Sequence, residues 1–177
     1  MATLVGYATE HGSTRGVAER IAERLREHRL EVDVRPMVEV ADLARYSSVV
    51  LGSAIHGSRW LPEAKQFVDT NAGMLRERMV WLFSVSTVGD AESMYSPGVA
   101  RRLRSMRGQT PEMTGILAAV AAREHRNFAG AVSQSQWPVP ARAFFRAMGG
   151  RYGDHRNWTA VDAWADSVAE QVVLAMR

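Results

Sequence analysis

Leu4-Val5-Gly6-Tyr7-Ala8-Thr9-Glu10-His11-Gly12-Ser13-Thr14 is the stretch on which the fold turns. Its first five residues form a short apolar run and the next six a polar loop rich in Gly, Ser and Thr, so it reads as a buried strand feeding a turn. Beyond it Val17, Ala18, Ile21, Ala22 and Leu25 recur at helical spacing between Glu19, Arg20, Glu23, Arg24 and Arg26, giving an apolar stripe with a charged outer face. Strand, loop and helix in that order aim the loop's backbone N–H groups and the positive end of the helix dipole at one point beyond the strand. Thr9, Ser13 and Thr14 add hydroxyls, and Gly12 keeps a Cβ out of the way. Such a loop suits a phosphate monoester, which carries close to two negative charges. There is no G-x-G-x-x-G, which separates it from the dinucleotide fingerprint, and no Gly-Lys-Ser/Thr, which separates it from the P-loop. A polar loop that only caps the helix is the competing reading.

Working outward, Leu30, Val32 and Val34 alternate with Glu31, Asp33 and Arg35, the period of a strand wet on one side and placed at an edge. Val49-Val50-Leu51-Gly52 and Val80-Trp81-Leu82-Phe83 are continuous apolar runs, which predicts central strands covered on both faces. Pro62 to Arg78 reads as a helix between them, and Met113 to Arg123 as another, followed by a strand Phe128-Ala129-Gly130-Ala131-Val132. A final helix is expected from Thr159, capped by that residue with Asp162. Strands alternating with helices specify an α/β fold with a parallel sheet, and the 177 residues suit one domain spanning 1–177. Two regions resist the alternation. Residues 97 to 112 read as a short helix and a loop. Residues 134 to 157 hold Trp137, Pro138, Pro140 and Gly149-Gly150 around Phe144-Phe145, an excursion longer than an ordinary connection.

The chain has no cysteine, which removes disulfides, thiolate catalysis, iron–sulfur ligation and Cys-type zinc sites; no metal is expected. No apolar run is long enough to cross a bilayer and the first residues lack a basic segment before an apolar one, so a cytoplasmic location, or a peripheral one at the inner membrane face, is expected. The net charge of +3 is uneven: residues 1 to 96 carry 11 basic and 13 acidic side chains, whereas 97 to 177 carry 11 and 6. A basic second half suits an anionic substrate, an acidic partner protein or a lipid surface, and no nucleic acid is expected. Every basic residue except Lys65 is arginine, so composition alone is the bland explanation.

In open α/β sheets a ligand lies beyond the carboxyl ends of the strands. Two further loops leave that edge: Ser53-Ala54-Ile55-His56-Gly57-Ser58-Arg59-Trp60, and Ser86-Thr87-Val88-Gly89-Asp90 with Tyr95 beyond. The T-x-x-G-x-T of Thr9 to Thr14 after a strand resembles the FMN phosphate loop of the flavodoxin family. That resemblance implies a three-layer sandwich, a five-stranded parallel sheet in the order 2-1-3-4-5, and FMN as cofactor. It also implies that Thr9, Glu10, His11, Gly12, Ser13 and Thr14 hold the phosphate. Ser53, Ala54, Ile55, His56, Gly57 and Trp60 would then flank the flavin with Ser86, Thr87, Val88, Gly89, Asp90 and Tyr95. Trp60 and Tyr95 are the stacking candidates, the alternative for Trp60 being that it packs at the start of the following helix. His56 is a weak catalytic candidate and His11 could approach the phosphate, although lone histidines in polar loops are usually solvated.

Toward the end, Phe128-Ala129-Gly130-Ala131, the Phe144-Phe145 excursion and Gly153-Asp154-His155-Arg156-Asn157-Trp158 leading into Trp164-Ala165 resemble one flavodoxin-domain branch. That branch includes menaquinone-dependent protoporphyrinogen IX dehydrogenase; residues 97 to 127 depart from it. The likeness implies a porphyrinogen oxidised through FMN with a quinone as acceptor. Residues 97 to 151 hold nine basic and two acidic side chains, which would attract a tetrapyrrole's propionates or anionic headgroups. Pro140 to Met148 could rest on a lipid surface, or its aromatics could cover the sheet edge. Two other readings fit the residues: an electron carrier that docks on a redox partner protein, and a flavin-free binding or assembly module.

Overall fold

The computed structural model describes residues 2–107, 110–136 and 139–176, with backbone only at Met106, Arg107 and Gln136. In chain order the elements are β1 (Ala2–Ala8), α1 (Ser13–Glu27), β2 (Val32–Pro36), β3 (Tyr46–His56), β4 (Arg59–Trp60), α2 (Pro62–Arg76), β5 (Met79–Ser86), α3 (Pro97–Arg107), α4 (Pro111–Ala119), β6 (Glu124–Ala129), β7 (Ala131–Val132), α5 (Val139–Ala147), β8 (Gly153–Asp154) and α6 (Trp158–Ala175). Strands β2-β1-β3-β5-β6 form a parallel sheet in that order; the alternation predicts the parallel sheet, and the order is the one the resemblance implies. The two-residue β4 folds back antiparallel on β3.

The continuous apolar runs divide between the two faces. Trp81, Phe83 and Val85 of β5 face α1 and α6 with Val17, Ile21, Leu25, Val161, Trp164 and Val168, while Val80 and Leu82 face α2 and α4 with Phe67, Val68, Met113 and Ile116. A strand with helices on both faces has no polar side to display, hence its unbroken hydrophobic spelling.

Three boundaries differ from the sequence reading. The last helix is capped by Asn157, whose Oδ1 accepts the Ala160 N–H at 2.9 Å, so the cap lies two residues before Thr159. The helix expected over Met113 to Arg123 starts at Pro111, under a Thr110 cap, and ends by Ala119. The expected strand Phe128 to Val132 is cut at Gly130: β6 stops at Ala129, and β7 pairs instead with β8. The excursion thereby closes into a hairpin with α5 inside it, burying Phe145 against Tyr95, Val132 and Tyr152 and leaving Phe144 and Val139 exposed. Phe145 thus packs inside this excursion, against residues of β7 and the loops beside it, and not on the edge strand of the main sheet. Trp137 and Pro138 lie outside the described residues.

On the outer side of α1, Arg20 donates to both oxygens of Asp162 at 2.6 Å, and Arg24 to both of Asp166 at 2.9 and 2.8 Å. Hydrogen bonds from Arg20 and Arg24 hold these two carboxyls below the usual carboxylate range. A depressed carboxyl stabilises the fold above its unfolded value of about 3.9, and that contribution is lost as pH falls through the lower folded value. An Arg20→Gln, Arg24→Gln variant is therefore expected to melt below the parent at pH 6. The gap should narrow steadily as pH drops below about 4, as read by thermal unfolding.

Candidate functional site

The β1–α1 loop lies at the carboxyl edge of the sheet, where β1 borders β3. Gly12 caps α1 in the left-handed region at φ 84° with no side-chain cap, a conformation that admits few other residues. Thr9 Oγ1 accepts the Gly12 N–H at 3.0 Å, which tightens the loop into a ring. Ser13 Oγ accepts the Ala131 N–H at 2.8 Å and ties the loop to β7. Among the described residues, the backbone N–H groups of Ser13, Thr14 and Arg15 meet no acceptor, as a first helical turn leaves them. Thr14 is fully buried, yet its Oγ1 has no hydrogen-bond partner. Buried hydroxyls are nearly always paired, so this one marks a place that expects a visitor.

A cleft of about 90 Å³ opens at this loop, lined by Thr9, Glu10, His11, Ser13 and Thr14, by Ala54, Ile55 and His56 after β3, and by Ser86 and Thr87 after β5. His56 Nε2 sits 2.7 Å from Glu10 Oε2, an ion pair across the mouth when the imidazole is protonated. The rest of the expected set falls elsewhere. Ser53 is buried; its Oγ donates to Ala54 O at 2.9 Å and accepts from Leu61 N at 3.0 Å, so it shapes the β3 end. Gly57, with Ser58, forms the two-residue tip of the β3–β4 hairpin, both at positive φ.

Trp60 corrects the stacking expectation: it is 3% exposed, and its Nε1 donates to Ser84 Oγ at 2.8 Å beneath the hairpin, leaving no ring face to a ligand. The hairpin folds Trp60 back against the α2 side of the sheet. Tyr95 is half-buried and meets Phe145 edge-on at 5.2 Å, beside the cleft, whose wall there is Met94. The cleft also takes Val85, Gly130, Ala131 and Val132, which the sequence reading left out. Val85 lies on β5 just before Ser86, whereas nothing local marks Gly130, Ala131 and Val132, which come in with the pairing of β7 with the distant β8.

Val88, Gly89 and Asp90 turn away from the cleft into a second cavity, which shares only Ile55 with it. This cavity, of about 300 Å³, reaches down to His125 and Met113. Burial pushes the His125 imidazole below its ordinary value, opposed by the nearby Asp90 charge.

No helix among the described residues is long and apolar enough to cross a membrane. A family model described as a flavodoxin domain matches residues 4–151. No curated protein matches the chain. Among solved structures, it is similar to the rubredoxin oxygen:oxidoreductase of Desulfovibrio gigas at 13% identity and a TM-score of 0.62, covering 99% of this chain but only 37% of that one. It is similar to a flavodoxin from Streptococcus pneumonia TIGR4 at 12% identity and a TM-score of 0.60, covering 97% and 99% of the two chains. A flavodoxin from the domain Archaea matches at 15% identity and a TM-score of 0.56, again over 97% and 99%. Likenesses at such identity bear on the fold alone, and they agree with the strand order. With the family model spanning most of its length, the chain belongs to the flavodoxin domain family.

Proposed function

We propose that the chain binds FMN non-covalently and works as a flavin-dependent oxidoreductase. The supporting observation is the unpaired, buried Thr14 hydroxyl beside three free amide hydrogens at the start of α1. A phosphate dianion accepts from all four, and the helix dipole favours it further. The hydroxyls of Thr9 and Ser13 hold the loop by accepting, and their own protons stay available to the same anion. The Ala54 to His56 and Ser86–Thr87 walls are left for the remainder of the molecule. When bound, FMN supplies the electron and hydride transfer that the side chains here lack. The chain's residues would orient it and keep water from one side. The finer assignment, a porphyrinogen as donor and a quinone as acceptor, draws on the arginines of α5, Arg142 and Arg146, and on Arg151 beyond it.

Titration of the flavin-free chain with FMN, followed by quenching of flavin fluorescence, tests the reading; no binding would end it. Thr14→Val sharpens the test because its two effects have opposite signs. Losing the hydroxyl should weaken FMN binding about tenfold, near 1.4 kcal/mol. The flavin-free protein should melt no lower than the parent, since an unpaired buried hydroxyl is itself a cost of about 1–3 kcal/mol. Unchanged affinity would separate Thr14 from the phosphate.

A further inference from the structure

Helix α5 turns its apolar side outward. Phe145 is 1% exposed and packs inward, with Ala141 and Arg142 half-buried beside it. Pro140, Ala143, Phe144 and Ala147, at i, i+3, i+4 and i+7, share the opposite arc, and all four are exposed, Phe144 at 67%. Val139 on the shoulder is 71% exposed, and Arg146 is the one charged residue among the exposed positions of the helix. A surface helix ordinarily shows water the reverse of this pattern. The surroundings are basic: residues 93–111 and 125–153 hold eight arginines and no Asp or Glu. The fold joins the two stretches, since the Arg151 N–H donates to Met94 O at 2.8 Å and a Cβ built on Gly149 would lie 3.5 Å from Ser96 Oγ, at the start of α3. Arg101, Arg102, Arg146 and Arg151 are exposed and, among the described residues, none of the four is ion-paired.

Size and charge together choose what covers this face. A nine-residue helix is about 14 Å long and about 10 Å across, so its outward arc offers roughly 140 Å². A stable protein interface takes about 800 Å² from each partner. A second copy would also set arginine against arginine. A bilayer needs no matching shape: it receives the Phe144 ring and the arginine stems below its headgroups while the guanidinium groups stay among the lipid phosphates. Each arginine near an anionic surface strengthens binding about fivefold. On the inner side of the same helix Phe145 meets Tyr95 and clusters with Met94 and Val132, two walls of the cleft, so a surface held by α5 would lie one helix diameter, about 10 Å, from the cleft.

We propose that the outward face of α5 docks on an anionic lipid surface, with Phe144 and Val139 entering the headgroup region and Arg146 and Arg151 meeting lipid phosphates. The test is flotation of the full chain with vesicles of phosphatidylcholine mixed with phosphatidylglycerol, and with vesicles of phosphatidylcholine alone. The chain should float with the mixed vesicles only, and less of it as salt is raised. Phe144→Ala should weaken that binding about tenfold, and the double variant Arg146→Gln, Arg151→Gln about thirtyfold. Both replace exposed side chains, and thermal unfolding checks that they fold. Flotation is done without FMN, so its outcome and that of the flavin titration stay apart. No binding to the mixed vesicles, or equal binding to phosphatidylcholine alone, overturns the proposal. So does binding that needs the two arginines but not Phe144, which is plain attraction to anions and would give the face to an acidic protein. A dimer in sedimentation velocity that Phe144→Ala dissolves, with no flotation of the parent, would give it to a second copy and overturn the lipid assignment as well.

Discussion

Gly12→Asp lowers FMN affinity by at least about a hundredfold, whereas Gly12→Asn lowers it by less than about tenfold. A Cβ built on Gly12 meets nothing within 4 Å, so neither side chain is refused on space. Gly12 sits at φ 84°, where asparagine and aspartate are the best tolerated of the other residues, and both variants should fold with a loss of about 1 kcal/mol. What separates them is charge. One carboxylate about 6 Å from a dianion is opposed by about 1.4 kcal/mol at the dielectric of water and by about 5–6 kcal/mol at an effective value near 20. A hundredfold change, about 2.7 kcal/mol, falls between these limits. Raising the salt should recover part of the aspartate's loss and little of the asparagine's. Fluorescence titration of the two variants side by side is the check. Equal losses would mean that the loop's amides serve only to cap α1, and the phosphate assignment would go with them.

Legibility followed how local each cause is. The β1–loop–α1 unit could be read because strand, turn chemistry and helical stripe lie in one continuous stretch, and every residue of its loop from Thr9 to Thr14 except Gly12 lines the cleft. The central place of β3 and β5 came through for a similar reason: two-sided burial writes itself as unbroken apolar runs, whereas the full order rested on the family resemblance. Trp60 was unreadable, because a large aromatic in a polar loop looks the same whether it stacks on a ligand or folds inward. The type of turn at Gly57-Ser58 and the serine at Ser84 decide that, and the second lies 24 residues away. The loop after β5 was read as one wall, but the Val88–Ser93 bridge twists it, sending Ser86 and Thr87 to one cavity and Val88 to Asp90 to the other. Asn157 and Thr159 are both cap residues by type; only the bond to Ala160 N–H chooses between them.

Gly52→Ala is expected to cost about 3 kcal/mol or more, although it adds a single methyl group to a central strand. Gly52 of β3 stands directly opposite Phe83 of β5, and the phenyl ring lies over the glycine backbone in the room a side chain would need. A Cβ there would come within 1.9 Å of the ring's Cζ and 2.2 and 2.3 Å of its two Cε atoms. Rotating the ring away is no escape: Phe83 is fully buried, with Phe128 at 6.3 Å and Trp164 at 6.2 Å between ring centroids. The strands must part or the ring must force α6 outward, and either route disturbs Ser53 to His56, which continue from Gly52 into the cleft wall. Phe83→Leu alone should cost about 2 kcal/mol for the volume it removes. Combined with Gly52→Ala it should cost less than the sum of the two by more than about 1 kcal/mol, because the shorter side chain gives the methyl its space. Denaturant unfolding of the four proteins measures that coupling. A loss under about 1 kcal/mol for Gly52→Ala, or strict additivity with Phe83→Leu, would mean that the sheet can breathe where it meets the site, and that the cleft wall is held by the loops themselves and not by the packing of β3 on β5.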